Sequence, residues 1–339
     1  MSAYSIPTGR PAPSSPQAPA RTPRLRAVSP HLLVVANANA SGLVRRPELV
    51  EGAATLLRGL GARVETRLTS SLEELAETVA AAGRRIALLG GDGSLHAAAN
   101  LPGPLPELAL LPAGRANNVA HSLGVPLDLS AAARLALAGH ARPLDLIEAR
   151  TATRRYLAVE GVSVGFHALA RARYRSVNSA DVVAGVKAGL GALASFGSIT
   201  IGLEADGRFE VARIGQLFVA NLPLFGPGLQ VAPAADPADG LLDLVTIEAA
   251  TRTELVSKLR RLRHGTHLEL PGVRHLAAAR IRIAPSGRSP VIADTTDLGS
   301  GTVELSVRPA ALQLVGSAAS PGRDSGRLQG SSRAEGSAA

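Results

Sequence analysis

The sequence predicts an α/β protein: an N-terminal doubly wound, mainly parallel sheet domain, a C-terminal β-sandwich-like domain, and disordered tails at both ends. Three observations carry this. From residue 31 to 148 short apolar runs alternate with helical patterns; after Arg150 short strand-like segments recur between glycine turns. Residues 1–30 and 317–339 are low-complexity, rich in Pro, Ser, Ala and Gly, without hydrophobic periodicity. The resulting division is 1–30 tail, 31–148 α/β domain, 149–308 β-sandwich-like domain and 317–339 tail, with a last strand near 309–316 returning to the first domain.

Taken in order, His31–Ala36 is a buried strand, followed by the small polar turn Asn37-Ala-Asn-Ala-Ser-Gly42 and a helix from about Pro47 to Leu60. Arg63–Leu68 is a strand, and Leu72–Ala81 a helix whose Leu72, Leu75, Ala76 and Val79 share one face. Ile86–Leu89 is too short for a helix and fits a strand buried on both faces. Gly90, Gly91 and Gly93 then predict a tight turn through positive φ, with Ser94 capping the next helix. Leu108–Leu111 is a fourth strand ending at Pro112-Ala-Gly-Arg-Ala-Asn-Asn118; helix Ser130–Ala138 and strand Pro143–Glu148 close the series. Ligands of such sheets bind beyond the carboxyl ends of the strands, so Asn37, Thr69, Gly90 and Gly114 should cluster.

In the second half the expected strands are Tyr156–Val159, Ile199–Glu204, Gln216–Asn221, Leu241–Ile247, Ala279–Ile283, Val291–Ala293 and Val303–Val307, with helices near Val182–Ala194 and Thr253–Leu262. A short strand at Leu312–Val315 ends the ordered chain. Val182–Leu203 is the nearest approach to a membrane span, but it holds Lys187 and five glycines and reads as a helix running into a strand.

Composition bounds the function. Hydrophobic residues make up 46% of the 339 and mean hydropathy is +0.16, enough for two cores. Aromatics are 2%, which leaves few platforms for stacking RNA bases. The net charge of +9 is uneven: the N-terminal tail carries +4 and the C-terminal tail +1, leaving a modest +4 on the body. Nucleic acid is therefore not an expected partner, whereas basic tails favour an anionic lipid surface. No cysteine is present and no apolar leader begins the chain, which fits a cytoplasmic protein, peripheral at the inner membrane face. A homodimer stays open, since nothing in the pattern fixes the oligomeric state.

A strand, a glycine turn and a helix start converge backbone N–H groups on one point, a geometry suited to phosphate. Asp92 inside that turn would repel phosphates unless a divalent cation or a substrate hydroxyl lay between; the other reading is a helix cap. Gly90-Gly-Asp-Gly-Ser-Leu-His resembles the GGDGT(L/I)N signature of the diacylglycerol-kinase catalytic family, which includes bacterial lipid kinases and sphingosine kinases and is related to the NAD kinases. Asn37-Ala-Asn-Ala-Ser-Gly42 is similar to that family's N-P-x-x-(S/G)-G turn, with Ala38 for its proline. Thr69 matches its second-strand threonine. Pro112-Ala-Gly-Arg-Ala-Asn-Asn-Val-Ala-His121 is similar to P-x-G-T-x-N-D-(F/L)-A-R, with Arg115 for the threonine and Asn118 for the aspartate. Residues 221–243 resemble N-x-x-x-x-G-G-G-x-x-x-x-P-x-A-x-x-D-D-G-x-L-D. Pro290-Val-Ile-Ala-Asp-Thr-Thr-Asp297 aligns with a strand ending V-D-G-E, keeping Asp294 but reading Thr295 and Thr296 for Gly and Glu.

The resemblance covers residues 31 to 315 and implies ATP-dependent phosphorylation of a lipid hydroxyl with Mg²⁺, in a cleft between the domains, with the sandwich's apolar inner face taking acyl chains. It implies nucleotide contacts at Asn37, Ser41, Thr69, Gly90, Gly91, Asp92, Gly93, Ser94, His96, Gly114, Arg115 and Asn117. Asp239, with the backbone carbonyls of Asp236 and Leu241, would hold a structural Mg²⁺. The proton acceptor would be Asp294, then Asp297, then Asp92. His96, His121 and His167 lack metal-ligand spacing and read as surface or helix residues. Three rivals remain: a small-molecule kinase related to NAD kinases, a nucleotide- or lipid-binding protein of low activity, and, on charge alone, a nucleic-acid binder.

Overall fold

A computed structural model describes residues 31–173 and 182–316; both expected tails lie outside the described residues. The first half runs β1 (His31–Asn37), α1 (Ser41–Arg45), α2 (Leu49–Gly59), β2 (Arg63–Thr69), α3 (Leu72–Ala80), β3 (Arg85–Gly90), α4 (Asp92–Ala99), β4 (Glu107–Pro112), α5 (Asn118–Ser122), α6 (Leu129–Ala138) and β5 (His140–Arg150). Strands β2, β1, β3 and β4 are neighbours in that order, all parallel. The order reverses between β1 and β3, so a crevice opens beyond their carboxyl ends. One face of the sheet packs on α2 and α6 through Ala53, Leu57, Ala132 and Ala136; the other packs on α3 and α4 through Leu75, Val79, Leu95 and Ala98. The core of this half is aliphatic throughout, in keeping with the low aromatic content. Helix α3 starts sharply because Ser71 Oγ accepts the Glu74 N–H while the Glu74 carboxylate accepts that of Ser70.

The second half continues with β6 (Arg155–Ala158), β7 (Gly161–Gly165), α7 (Phe166–Arg173), α8 (Val182–Ala194), β8 (Ile199–Ala205), β9 (Arg208–Ile214) and β10 (Gln216–Ala220). A small hairpin of β11 (Leu224–Phe225) and β12 (Leu229–Gln230) follows, then β13 (Leu242–Ile247), α9 (Arg252–Arg261), β14 (Val273–Ala278), β15 (Arg280–Pro285), β16 (Pro290–Ala293), β17 (Thr296–Ser300) and β18 (Val303–Gly316). An antiparallel sheet of order β14-β13-β10-β7-β16-β17 faces the antiparallel extension of the first sheet formed by β18, β15, β8 and β9. Val162, Val164, Ile201, Leu217, Leu244 and Ile283 fill the space between them, all buried. The sandwich interior is thus closed by its own side chains, and the expectation that its inner face takes acyl chains is not met.

Strands β7, β9, β14 and β17 and helix α7 escape the sequence pattern. The segments expected at Val303–Val307 and Leu312–Val315 are one strand, β18, whose register shifts between Arg308 and Leu312, where Ala310 sits at φ 49°. Along its length β18 pairs with β5; it also meets β15 at one end and β4, in parallel, at the other. Both crossings of the chain between the halves therefore lie side by side in one ribbon. Asp145 fastens it: its carboxylate accepts the N–H groups of Ala310 and Gly240, and its own N–H donates to Pro237 O.

Candidate active site

Three loops at the carboxyl ends of β1, β3 and β4 touch one another. A Cβ on Gly91 would lie 2.8 Å from the Gly114 Cα, and one on Gly42 would overlap the Ala113 carbonyl. Gly91 serves this close approach rather than turn geometry, and none of Gly90, Gly91 and Gly93 has positive φ; Gly91 sits at −107°. The helix also begins earlier than expected, at Asp92 with Gly91 as its N-cap, so Ser94 is a buried first-turn residue and not the cap. The first-turn amides of an eight-residue helix thereby face the space beyond the sheet.

That space is a cleft of about 970 Å³ between the halves. Its first-half wall includes Asn37, Ser41, Gly91, Asp92, Gly93 and Ser94, joined by His96, Gly114 and Arg115. Of the expected nucleotide contacts, three do not reach it. Gly90 is buried at the end of β3; Thr69 is buried, with its hydroxyl 3.3 Å from Ala36 O; Asn117 turns inward to bond Gly114 from both ends of its amide. Asn117 adopts a left-handed backbone at φ 50° to do so. The Asp92 carboxylate accepts the N–H groups of Asn118 and Val119 at 3.1 and 3.0 Å, tying α4 to the start of α5. It is a cap after all, but of the neighbouring helix.

The second-half wall brings Glu160, His167, Arg171, the Gly226–Gly228 turn, Asp294 and Thr295 to the same cleft. Asp294 Oδ1 accepts the N–H groups of Glu160 and Gly161 at 2.8 and 3.1 Å, and Oδ2 that of Val159 at 2.9 Å. Asp294 itself sits at φ 50°. Glu160 follows β6 and is reached by three elements. His96 Nε2 lies 3.0 Å from Glu160 Oε1 and 3.7 Å from Asp294 Oδ2, and Asn118 Nδ2 donates to Glu160 Oε2 at 2.7 Å.

His96 is accordingly buried, not a surface residue, and it contacts carboxylates rather than solvent. Burial alone would push its imidazole down; the charges of Asp294, Glu160 and Asp92 outweigh burial and hold it up at about 9. Burial raises the Glu160 carboxyl, with Asp92 and Asp294 adding to the rise against the pull of His96. His167, beside Phe218 and Phe225, is driven by burial down to about 4 and stays neutral, with Nδ1 2.9 Å from Ser163 Oγ.

Asp297 lies outside the cleft: it is exposed on β17 and its carboxylate accepts the Gly299 N–H. Asp236 and Asp239 lie in a surface turn and do not line the cleft; Asp236 accepts the Ala238 N–H and Asp239 that of Leu241. Among the described residues no group of three or more acidic or histidine side chains is arranged to hold a metal. A second groove of about 500 Å³ adjoins the cleft, lined by Leu72, Ala76, Ala97, Leu101, Pro102 and Tyr156 and sharing Gly93, His96 and Thr295 with it. Sequence reasoning missed Glu160; the one available signal was an acid embedded in the apolar run Tyr156-Leu-Ala-Val-Glu-Gly-Val162.

Residues 31–149 match the diacylglycerol kinase catalytic domain, and residues 160–316 the YegS C-terminal NAD kinase beta sandwich-like domain. A probable YegS-like lipid kinase of Pseudomonas putida is 30% identical over 286 residues, 81% of this chain and 92% of that protein. A diacylglycerol kinase of Mycobacterium tuberculosis is 29% identical over 247 residues, 71% of this chain and 79% of its own length. The crystallised chain described as a putative diacylglycerol kinase from Bacillus anthracis shares the fold at a TM-score of 0.67 and 18% identity, over 85% of this chain and 97% of that one.

Proposed function

The chain belongs to the diacylglycerol kinase catalytic-domain family of lipid kinases, and on that premise we propose that it transfers the γ-phosphoryl group of ATP to the hydroxyl of a diacylglycerol-like or sphingoid-like lipid held in the cleft. The observation that carries the reading is the meeting, in one space of about 970 Å³, of the α4 N-terminus with a buried carboxylate set from the other half. Gly91 and Gly93 present backbone amides to the phosphates, with Ser94, Asn37 and Ser41 beside them. Arg115 offers a guanidinium to phosphate oxygens. The adjoining apolar groove takes acyl chain, which lets the lipid lie partly in the membrane. Among the described residues no helix is long and apolar enough to cross a membrane, so we read the contact with lipid as peripheral.

Mg²⁺ would supply the neutralisation of the phosphates, and Asp92 is the residue fit to hold it. Each of its oxygens accepts one N–H, leaving lone pairs on the cleft side. We further read the Asp236–Leu241 turn as a structural Mg²⁺ site formed by Asp239 and the carbonyls of Asp236 and Leu241; a fall in Tm on chelation, absent in Asp239→Ala, checks this.

Incubation with labelled ATP, Mg²⁺ and a panel of dioctanoylglycerol, sphingosine and phosphatidylglycerol micelles tests the reading. Label in at least one lipid is expected; none, with nucleotide binding intact, overturns it. The replacement of the expected Gly and Glu by Thr295 and Thr296 favours a second reading, a slow kinase, for which Thr296→Glu would raise the rate.

A further inference from the structure

The carboxylates that face the cleft differ in what their oxygens already do. Asp92 has one backbone N–H on each oxygen, and Asp294 has three between its two. Those amides fix both carboxylates to the backbone, Asp92 to the start of α5 and Asp294 to residues 159–161. Asp297 is outside the cleft. Glu160 is held by side chains alone: Nδ2 of Asn118 on one oxygen and the His96 imidazole beside the other. It is also one of the few acids here that line the cleft at all.

The partner of Glu160 is informative. Residue 118 is where the motif resembled by Pro112–His121 carries an aspartate, and here it is an amide. Asn118 Nδ2 also donates to Gly226 O at 2.6 Å, while its Oδ1 is buried with no partner among the described residues. An amide has taken the position of the expected acid, and an acid stands 2.7 Å away. The pair keeps one negative charge and one amide, exchanged across the gap between α5 and the end of β6.

Resting on the kinase reading above, we infer that Glu160 is the catalytic carboxylate of this chain, standing beside residue 118 where the motif's acid is absent, with Asn118 and His96 as its positioning residues. Glu160 Oε2 receives the proton of the lipid hydroxyl as its oxygen bonds to the γ-phosphorus. The bond from that phosphorus to the β–γ bridging oxygen breaks, and ADP leaves with the electron pair. Raised proton affinity from burial suits the acid to this task. Asp294 is a clamp that fixes the backbone on either side of Glu160. The charged groups facing Glu160 are His96 and Asp92 from α4 and Asp294 from the β16–β17 corner.

The test compares wild type, E160Q, N118D and the double variant N118D/E160Q, using Mg-ATP with the micelle panel above, and records kcat and KM for ATP separately, with thermal melts of each protein. Wild type decides the kinase reading: if it labels no lipid, that reading falls and this inference with it. Given an active wild type, E160Q is expected to lose about 100-fold in kcat with KM for ATP within about threefold. Adding N118D to E160Q is expected to recover at least about tenfold, because the exchange restores one acid and one amide. A purely structural pair would lose and regain Tm together with kcat, so a kcat that falls and recovers at unchanged Tm marks the chemical role. E160Q within about threefold of wild type overturns the inference, as does a folded double variant no better than E160Q. Should E160Q alone fail to fold, the double variant decides: active supports the inference, folded but inactive overturns it.

Discussion

On the first-half wall of the cleft backbone meets backbone: Gly91 lies against Gly114 and Gly42 against Ala113, with no side chain between. On the second-half wall the contacts run through carboxylates, and those joining Asp294 to residues 159–161 span more than 130 positions of chain. The first wall is specified by what is missing from its residues and the second by charges removed from water. The first should therefore fail by steric clash and respond little to pH. The second should tolerate changes of shape and respond to charge.

The largest effect is expected at Gly114, where an added Cβ would lie 2.5 Å from Gly91 Cα and 2.6 Å from Asn117 Oδ1. Gly114→Ala should cost about 4 kcal/mol in a urea titration and abolish measurable nucleotide binding in calorimetry. Next is Asp294→Asn, which turns an N–H donor toward the amides that the carboxylate now accepts. A loss of about 3 kcal/mol with the first wall intact would be read from the same titration. Third, the His96 imidazole is raised from 6.5 to about 9, so the stability it contributes is complete below 6.5 and lost as pH rises through about 9. Tm should fall between pH 7 and 10 by more in wild type than in His96→Gln; parallel curves would show that the second wall is not organised by this charge. The smallest effect is Gly93→Ala, since an added Cβ there meets nothing within 4 Å. Stability should stay within about 0.5 kcal/mol of wild type, while phosphate passing close over the backbone should make nucleotide binding the quantity that changes.

The contrast also accounts for what could be read in advance. Strands β1, β3 and β4 and the loops after them announce themselves locally, by apolar runs that end in asparagine, glycine or proline. The parallel sheet and most of the first wall follow from that. The same reading misplaced the reason for the glycines, because close approach between loops remote in sequence leaves no local trace that distinguishes it from a turn. His96 was expected on a helix or at the surface and among the nucleotide contacts; its burial went unread since nothing within α4 shows that two carboxylates from the other half lie over it. Glu160 showed only as an acid in an apolar run, for the same reason. Strands β9 and β14 were missed because alternation with charge, as in Arg208-Phe-Glu-Val-Ala-Arg213, reads as a turn-rich stretch when its sheet partners are unknown. The register shift in β18 split one strand into two expectations.

The ribbon of β5 and β18 has a consequence for how a substrate gets in. Two enzyme lobes joined by single loose strands can swing apart like a book; two joined through adjacent, mutually hydrogen-bonded strands cannot, because bending at that spine would shear the ladder that Asp145 staples at its irregular point. The motion left is a shallow torsion about the ribbon axis. On the lipid-kinase reading proposed above, the acceptor would enter along the open side of the cleft rather than be swallowed by a closing jaw.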